Sequence, residues 1–501
     1  MMEIFKLLYE EIHDIPSFED SLERNFLTIQ DFANASYGYQ HEQKEDIERF
    51  ILLKDAIISK YKFQNIESRS FVLILLDLCE RFALHSCIPR IIRIIQKNDI
   101  DINKRMTAAL KYLFPRPTTN DELLAKFDEV CELLNDSILN EEDDSSKALI
   151  TFLNYYANII NNTNVSYALQ AKQNFCVALN SNNYSWLKQI EDISVLDVSN
   201  PTMVFKAIEN KIDNITTTIC VQRNEQDETC LMEVGTNYCN ELSHTPSRFL
   251  SIRQLSVNHS NGNLSGRGVK PLTTEDEMYE YIKRYGKMHY AKLLSAFEST
   301  FPQHFDTPIN IVDWGCGQGI ATITFLEKYS SANVINITLI DPSEMVLKRA
   351  ALHCRKFTSN AKIYTIPKVL DDVTISDLKI QSNIPTIHLF SNILDIDDYN
   401  THKLISLVDN ALTCKNFFVC VSPYIDDIKS ARLNSFMNHF RKEPSFSVYH
   451  NVENTKNGDF WECNNSFQND YFSHGSGFAC KSYNSSGCSN KWTRVMKVFS
   501  V

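Results

Sequence analysis

The chain has 501 residues, a formal net charge of −12, 43% hydrophobic residues and 22% charged residues. That length allows about three domain equivalents, and the composition is that of a folded globular protein rather than a disordered or low-complexity chain. No apolar run approaches the roughly 18 residues of a membrane span, and Met1–Pro16 is interrupted by Glu3, Lys6, Glu10, Glu11 and Asp14, so neither a span nor a signal peptide is expected. The 14 cysteines are scattered, some within apolar helical runs such as Leu75 to Phe82, which suits buried reduced thiols and a cytoplasmic location. Charge is uneven: residues 1–270 hold 27 Lys and Arg against 38 Asp and Glu, whereas residues 271–501 hold 23 against 24. An acidic N-terminal half is a poor platform for a phosphate backbone, so charge does not indicate a nucleic-acid partner, although a local basic patch stays open.

From Met1 to about Asp213 the pattern is helical. Phe50 to Ile58, Phe71 to Phe82, Ile88 to Ile95 and Leu123 to Leu134 place apolar residues three and four apart, broken at Pro16, Pro89, Pro115-Arg116-Pro117 and the acidic run Glu141 to Asp144. The expected architecture is a bundle or irregular solenoid with no fixed-period repeat. Residues 214–270 read as a small irregular or β insertion followed by a linker: Ile215 to Val221 is rich in Thr, Ile and Val, and Asn258 to Lys270 carries three glycines among polar residues. Cys220, Cys230, Cys239 and His244 lie there without zinc spacing, and Cys463, His474, Cys480 and Cys488 lack it too, so no metal is expected.

Thr274 and Glu277 form a capping box that opens a helix through Met278, Tyr281, Tyr285, His289 and Leu293. Ile309 to Trp314 then has the length and β-branched content of a buried strand, Gly315-Cys316-Gly317-Gln318-Gly319 is a glycine turn, and Ile320 to Tyr329 returns to helical spacing. Glycines permit a tight turn and a close ligand, and the helix start offers free N–H groups. A second strand, Val334 to Ile340, ends in Asp341, an acidic residue placed to accept ribose hydroxyls. Helices and strands alternate onward: Ser343 to Phe357, Lys362 to Ile366, Pro385 to Phe390, Asp398 to Leu412, Asn416 to Val421, Ile428 to Phe440, then strands at Ser445 to His450 and Arg494 to Val501. This predicts an α/β class with a parallel, doubly wound sheet, its ligand at the carboxyl ends of the strands near Asp313 to Gly319, Asp341, Asp371, Asp372, Ser391 to Asp395 and Ser422 to Tyr424. The aromatic, Asn- and Ser-rich segment from Val452 to Asn490 interrupts the last pair of strands, where a substrate loop is expected.

Asp313-Trp314-Gly315-Cys316-Gly317-Gln318-Gly319, followed by Asp341-Pro342, resembles motif I and the second-strand acidic motif of class I S-adenosylmethionine-dependent methyltransferases, whose sheet has seven strands in a Rossmann-like arrangement. The third glycine comes one residue early for the dinucleotide pattern G-x-G-x-x-G, which moves the reading away from NAD. The resemblance covers roughly the last half of the chain and implies a methyltransferase domain over residues 271–501, behind a helical domain over residues 1–213. It implies S-adenosyl-L-methionine as cofactor, bordered by Gly315, Cys316, Gly317 and Gly319, with Asp313 facing its amino group, Asp341 and Pro342 at the ribose, Asp371 or Asp372 at the adenine amine, and Ser391 and Asn392 nearby. Ser391-Asn392-Ile393-Leu394-Asp395 lacks the two prolines and the aromatic of adenine-methylating enzymes, and no Pro-Cys pair marks a cytosine C5 nucleophile. Asp395, Tyr285 and His289 stand as candidates for a general base. The acceptor is open, with protein or a small molecule ahead of duplex DNA and structured RNA still in play. The alternative is a protein that binds the cofactor without turnover, as a sensor or scaffold.

Overall fold

A computed structural model describes residues 3–501 except 36, 116, 118, 140–144, 163, 219–235, 261–263, 265–269, 298–300, 303, 456–460, 463–482, 485–486 and 489–490. The expected strand at Ile215 to Val221 gives way to helix as far as Thr218, and its remainder falls outside the described residues, as do the Glu141 to Asp144 run and most of the aromatic segment before Asn490. The chain divides into two compact units, Met1–Gln222 with Asp426–Ala431, and Arg223–Ile425 with Arg432–Val501.

The first unit is helical among its described residues, from Ile4–Glu11 to Pro201–Thr218. Its central helix, Ile66–Arg81, is started by Asn65, whose side chain accepts from Ser68 N, and is buried along almost its whole length. Its Phe71 packs tilted on Phe18 at 5.9 Å and edge-on against Phe50 at 6.1 Å, and Phe50 in turn packs edge-on against Phe5 at 5.7 Å. A helix so enclosed cannot be amphipathic, and its polar groups pair internally: Asp77 receives Arg81 at 2.7 Å and Arg105 at 2.5 Å, and Tyr112 donates to Glu80 at 3.0 Å.

The second unit is an α/β domain with a Rossmann-like sheet. Its sheet runs β1 (Ile309–Trp314), β2 (Val334–Ile340), β3 (Lys362–Ile366), β4 (Thr386–Ser391), β5 (Asn416–Ser422), β6 (Ser447–Asn454) and β7 (Arg494–Ser500), in spatial order β3-β2-β1-β4-β5-β7-β6. Strands β1 to β5 are parallel, because each pair of successive strands is joined by a crossover. The expectation of a parallel sheet fails at its last edge: β7 lies antiparallel to both β5 and β6, turning the sheet mixed. Helices cover both faces. One face presents Ile311, Leu339, Ile387 and Val419 to the helices Glu275–Ala296, Ile320–Lys328 and Glu344–Phe357. The other carries a run of rings, Trp314 stacked on Phe390 at 5.5 Å, His388 on Phe418 at 4.8 Å, and Phe436 tilted against Phe390 at 4.9 Å.

Residues 236–259, expected within an irregular or β insertion, form two helices instead, Thr236–His244 and Phe249–His259. They belong to the second unit by direct bonds: Phe249 N donates to Glu327 at 3.0 Å, Lys356 Nζ to Ser243 O at 2.8 Å, and Ser247 Oγ to Lys356 O at 2.9 Å. The start of the expected linker, Asn258 and His259, closes the second of these helices, and Leu264 is buried with Leu272, Met278, Tyr285 and Val346. Among the described residues no helix is long and apolar enough to cross a membrane.

Candidate functional site

The strand order reverses between β1 and β4, so the connections leaving their carboxyl ends part in opposite directions and leave a crevice there. The sequence places its unusual residues at this point. Gly315, Gly317 and Gly319 all take positive φ, at 60°, 48° and 77°, a region that costs an L side chain about 1–2 kcal/mol. They differ in what surrounds them. A Cβ on Gly315 would stand 2.4 Å from Ile393 Cδ1 and one on Gly319 would stand 3.3 Å from Ala350 Cβ, whereas one on Gly317 meets nothing within 4 Å. Packing therefore demands the outer glycines, and the middle one faces open space.

Asp313 is fully buried on β1. Thr322, in the first turn of the following helix, donates to Asp313 Oδ2 through its hydroxyl at 2.7 Å and its backbone N–H at 3.2 Å, while Oδ1 has no hydrogen-bond partner. Burial pushes its carboxyl up to about 7 against those two bonds, with Asp341 adding a like charge. Asp341, at the tip of β2, is half-buried; Oδ2 accepts from Gly317 N at 3.1 Å and Oδ1 from Ser343 N at 2.9 Å. Desolvation outweighs both bonds and raises it to about 6. The Gly317 bond ties the glycine turn to the second strand, and Cys316 N donating to Ile340 O at 2.8 Å ties it again. Cys316 itself is buried, its thiol raised well above the ordinary value by burial and donating to Gly317 O at 3.3 Å. Pro342 is exposed beside it.

From β4, Ser391 and Asn392 join the same crevice edge. Asn392 takes φ 57°, uncommon outside glycine, and its Nδ2 donates to Ser391 Oγ at 3.0 Å, while its buried Oδ1 has no partner. The next residue, Ile393, is the one that fills the space beneath Gly315. Asp395 is buried and accepts from Ser422 Oγ at 2.9 Å, joining the ends of β4 and β5. Asp371 and Asp372 lie in a short 3-10 turn after β3, both half-buried; Asp371 accepts from Asn400 N at 2.8 Å, so one of its oxygens starts the helix Thr401–Asn410. The helix Glu275–Ala296 carries Tyr285 stacked on His289 at 6.1 Å, with Tyr281 OH 3.5 Å from His289 Nδ1. Gln318 anchors that helix to the turn, its Nε2 donating to Met278 O at 2.8 Å. Thr322, Ile393 and this use of Gln318 were not legible in spacing alone. Among the described residues no group of three or more His, Cys, Asp and Glu is arranged to hold a metal ion.

The crevice thus offers an αL turn with room above Gly317, a carboxylate on each of two adjacent strands, and two buried acceptor oxygens, Asp313 Oδ1 and Asn392 Oδ1, awaiting donors. A small ligand bearing N–H or ammonium groups and vicinal hydroxyls matches that donor and acceptor set.

No family model and no curated protein matches the chain. Among solved structures it is similar to the plantazolicin methyltransferase BpumL in complex with SAH, at 13% identity and a TM-score of 0.28 over 53% of this chain and 96% of that one. It is similar also to geranyl diphosphate C-methyltransferase from Streptomyces coelicolor A3(2), at 11% identity and a TM-score of 0.26 over 51% of this chain and 98% of that one.

Proposed function

We propose that the chain is a methyltransferase that moves a methyl group from S-adenosyl-L-methionine to an acceptor by in-line displacement. The observation that carries this reading is the pair of unpartnered buried oxygens, Asp313 Oδ1 and Asn392 Oδ1, flanking a left-handed glycine turn with free space above Gly317. Bound there, the cofactor would supply an electrophilic sulfonium methyl. Asp313 Oδ1 accepts from its ammonium directly or through water, with Asn392 and Ser391 beside it, and Gly315, Cys316, Gly317 and Gly319 form the backbone wall. Asp341 keeps lone pairs beyond its two backbone bonds for the ribose hydroxyls, beside Pro342. Asp371, with one oxygen on Asn400, and Asp372 supply acceptors toward the adenine amine. Holding donor and nucleophile in line accounts for most of the rate such a displacement needs, so a strong acid–base signature is not required. Where the acceptor must lose a proton, the bases at hand are Asp395, whose carboxylate holds Ser422, and the stacked Tyr285 and His289.

We assign the second unit, Arg223–Ile425 with Arg432–Val501, to the transferase proper and the helical first unit to recognition of the acceptor. The acidic N-terminal half makes protein or a small molecule the favoured acceptor and structured RNA the alternative. The test has two stages. Calorimetry with S-adenosylhomocysteine should show binding that Gly317→Arg abolishes and Asp341→Ala weakens at least about tenfold; equal affinity in wild type and both variants overturns the site. Labelled S-adenosylmethionine with host lysate, split by protease, nuclease and a size filter, then locates the acceptor. Label in no fraction, with binding intact, favours a cofactor-binding sensor or scaffold once an absent acceptor or partner has been excluded.

A further inference from the structure

Beneath the glycine turn lies a buried polar chain that none of the roles above uses. His353, on the helix Glu344–Phe357 and fully buried, has Nδ1 2.8 Å from the backbone oxygen of Gln318, the residue between Gly317 and Gly319. A carbonyl only accepts, so Nδ1 carries the hydrogen. Burial lowers the imidazole to about 4, which keeps the ring neutral, and its Nε2 must then be an acceptor. The group facing Nε2 is the hydroxyl of Tyr238, itself buried, on the helix Thr236–His244. The order of donation is therefore fixed from end to end: Tyr238 hydroxyl to His353, His353 to the Gln318 carbonyl.

Tyr238 is in turn clamped. The buried Arg349 guanidinium lies 4.0 Å from its ring centroid and 4.6 Å from that of Tyr279, and Arg349 Nη2 meets Glu275 at 3.2 Å. Gln318 is also held at its other end, since its side chain donates to Met278 O. Gln318 thus has its carbonyl fixed from below and its side chain fixed to the covering helix.

We propose that Tyr238 and His353 are positioning residues of the candidate cofactor site, a hydrogen-bond relay that holds the Gln318 carbonyl and with it the left-handed turn from Gly317 to Gly319. The proposal rests on reading that turn as the cofactor site. Its geometric core does not: a turn with three positive φ values would relax if the carbonyl between two of them lost its donor. It also gives the helix Thr236–His244 a part in the site, although that helix lies more than 70 residues before Gly315.

The test uses the full chain and three variants, Tyr238→Phe, His353→Leu and His353→Asn. Asparagine can place its Nδ2 where the imidazole Nδ1–H was and still donate to Gln318. Two readouts are taken on the folded proteins: amide hydrogen exchange of the segment spanning Gly317 and Gly319 without ligand, and the dissociation constant for S-adenosylhomocysteine. His353→Leu, which removes the donor to Gln318, should speed exchange and weaken binding about tenfold, while Tyr238→Phe and His353→Asn, which each lose only the Tyr238 link and keep a donor to Gln318, should show a smaller loss of about two- to fivefold on both. Unchanged exchange and affinity in Tyr238→Phe would overturn the relay. So would a His353→Asn protein as impaired as His353→Leu, since ring packing rather than the donated hydrogen would then matter. If wild type does not bind S-adenosylhomocysteine, the cofactor reading falls, and the exchange data still decide the relay. Should His353→Leu not fold, Tyr238→Phe, which removes a single oxygen, carries the decision.

Discussion

Asp313 and Asp341 carry their protons to higher pH than carboxylates ordinarily do, and the sign of the consequence is definite. Both have raised values, about 7 and about 6 against 3.8, so the folded chain binds more protons than the unfolded chain between pH 4 and 7. Stability of the ligand-free protein therefore falls as pH rises through that window and levels off above it. Comparing melting temperatures across it, wild type should decline more steeply than Asp313→Asn; parallel curves would mean that Asp313 does not titrate there. Cofactor affinity should run the opposite way, rising through pH 6 to 7, because an ionised carboxylate is the better acceptor for an ammonium. The glycines give a second contrast. Gly315→Ala meets Ile393 as well as an unfavourable φ and should cost about 2–4 kcal/mol, whereas Gly317→Ala bears only the φ penalty of about 1–2 kcal/mol. Urea titration of the two variants reads the difference directly. At this scale the sequence revealed residue types but not partners: glycine spacing and the acid after the second strand were visible, whereas the use of Thr322 by Asp313, nine positions on, depends on how a helix sits over a strand.

Among the elements, the helix Glu275–Ala296 shows how a local signal and a tertiary tie combine. Its capping box is present as spacing implied, with Glu277 N donating to Thr274 Oγ1 at 3.2 Å and Thr274 N returning to Glu277 Oε2 at 3.1 Å. Thr274→Ala should lower stability by about 1 kcal/mol in a denaturant titration. Strands β1 and β2 coincide with their Ile- and Val-rich runs because a central parallel strand is buried on both faces, and the half-buried edge strand β3 coincides with its run as well. The helix Thr236–His244 was illegible for the opposite reason. Its residues, TNYCNELSH, have weak helix propensity, and it is held by Tyr238 and Leu242, one turn apart and buried against the rest of the unit. The antiparallel placement of β7 was hidden too, since a strand's own sequence does not say which neighbours will flank it.

On the scale of the whole molecule, the helical unit takes in Asp426–Ala431, so the chain passes from one unit to the other three times rather than once. Within that unit Asp427 receives Arg69 through Nε at 2.7 Å and Nη2 at 3.2 Å, with the carboxylate almost fully buried. Asp427→Ala should destabilise the helical unit by about 1–3 kcal/mol in urea, and a fragment ending at Gln222 should show a comparable deficit. Boundaries drawn from the linear order of helices and strands could not contain this exchange, because six residues hold too little pattern to announce where they pack. It also imposes a timetable. Residues 223–425 must be synthesised after Gln222 before the missing piece exists, and at roughly 5–20 residues per second that is a wait of about 10–40 s. During translation the first half of this protein emerges early and is completed late, leaving an interval in which its open seam is accessible to chaperones.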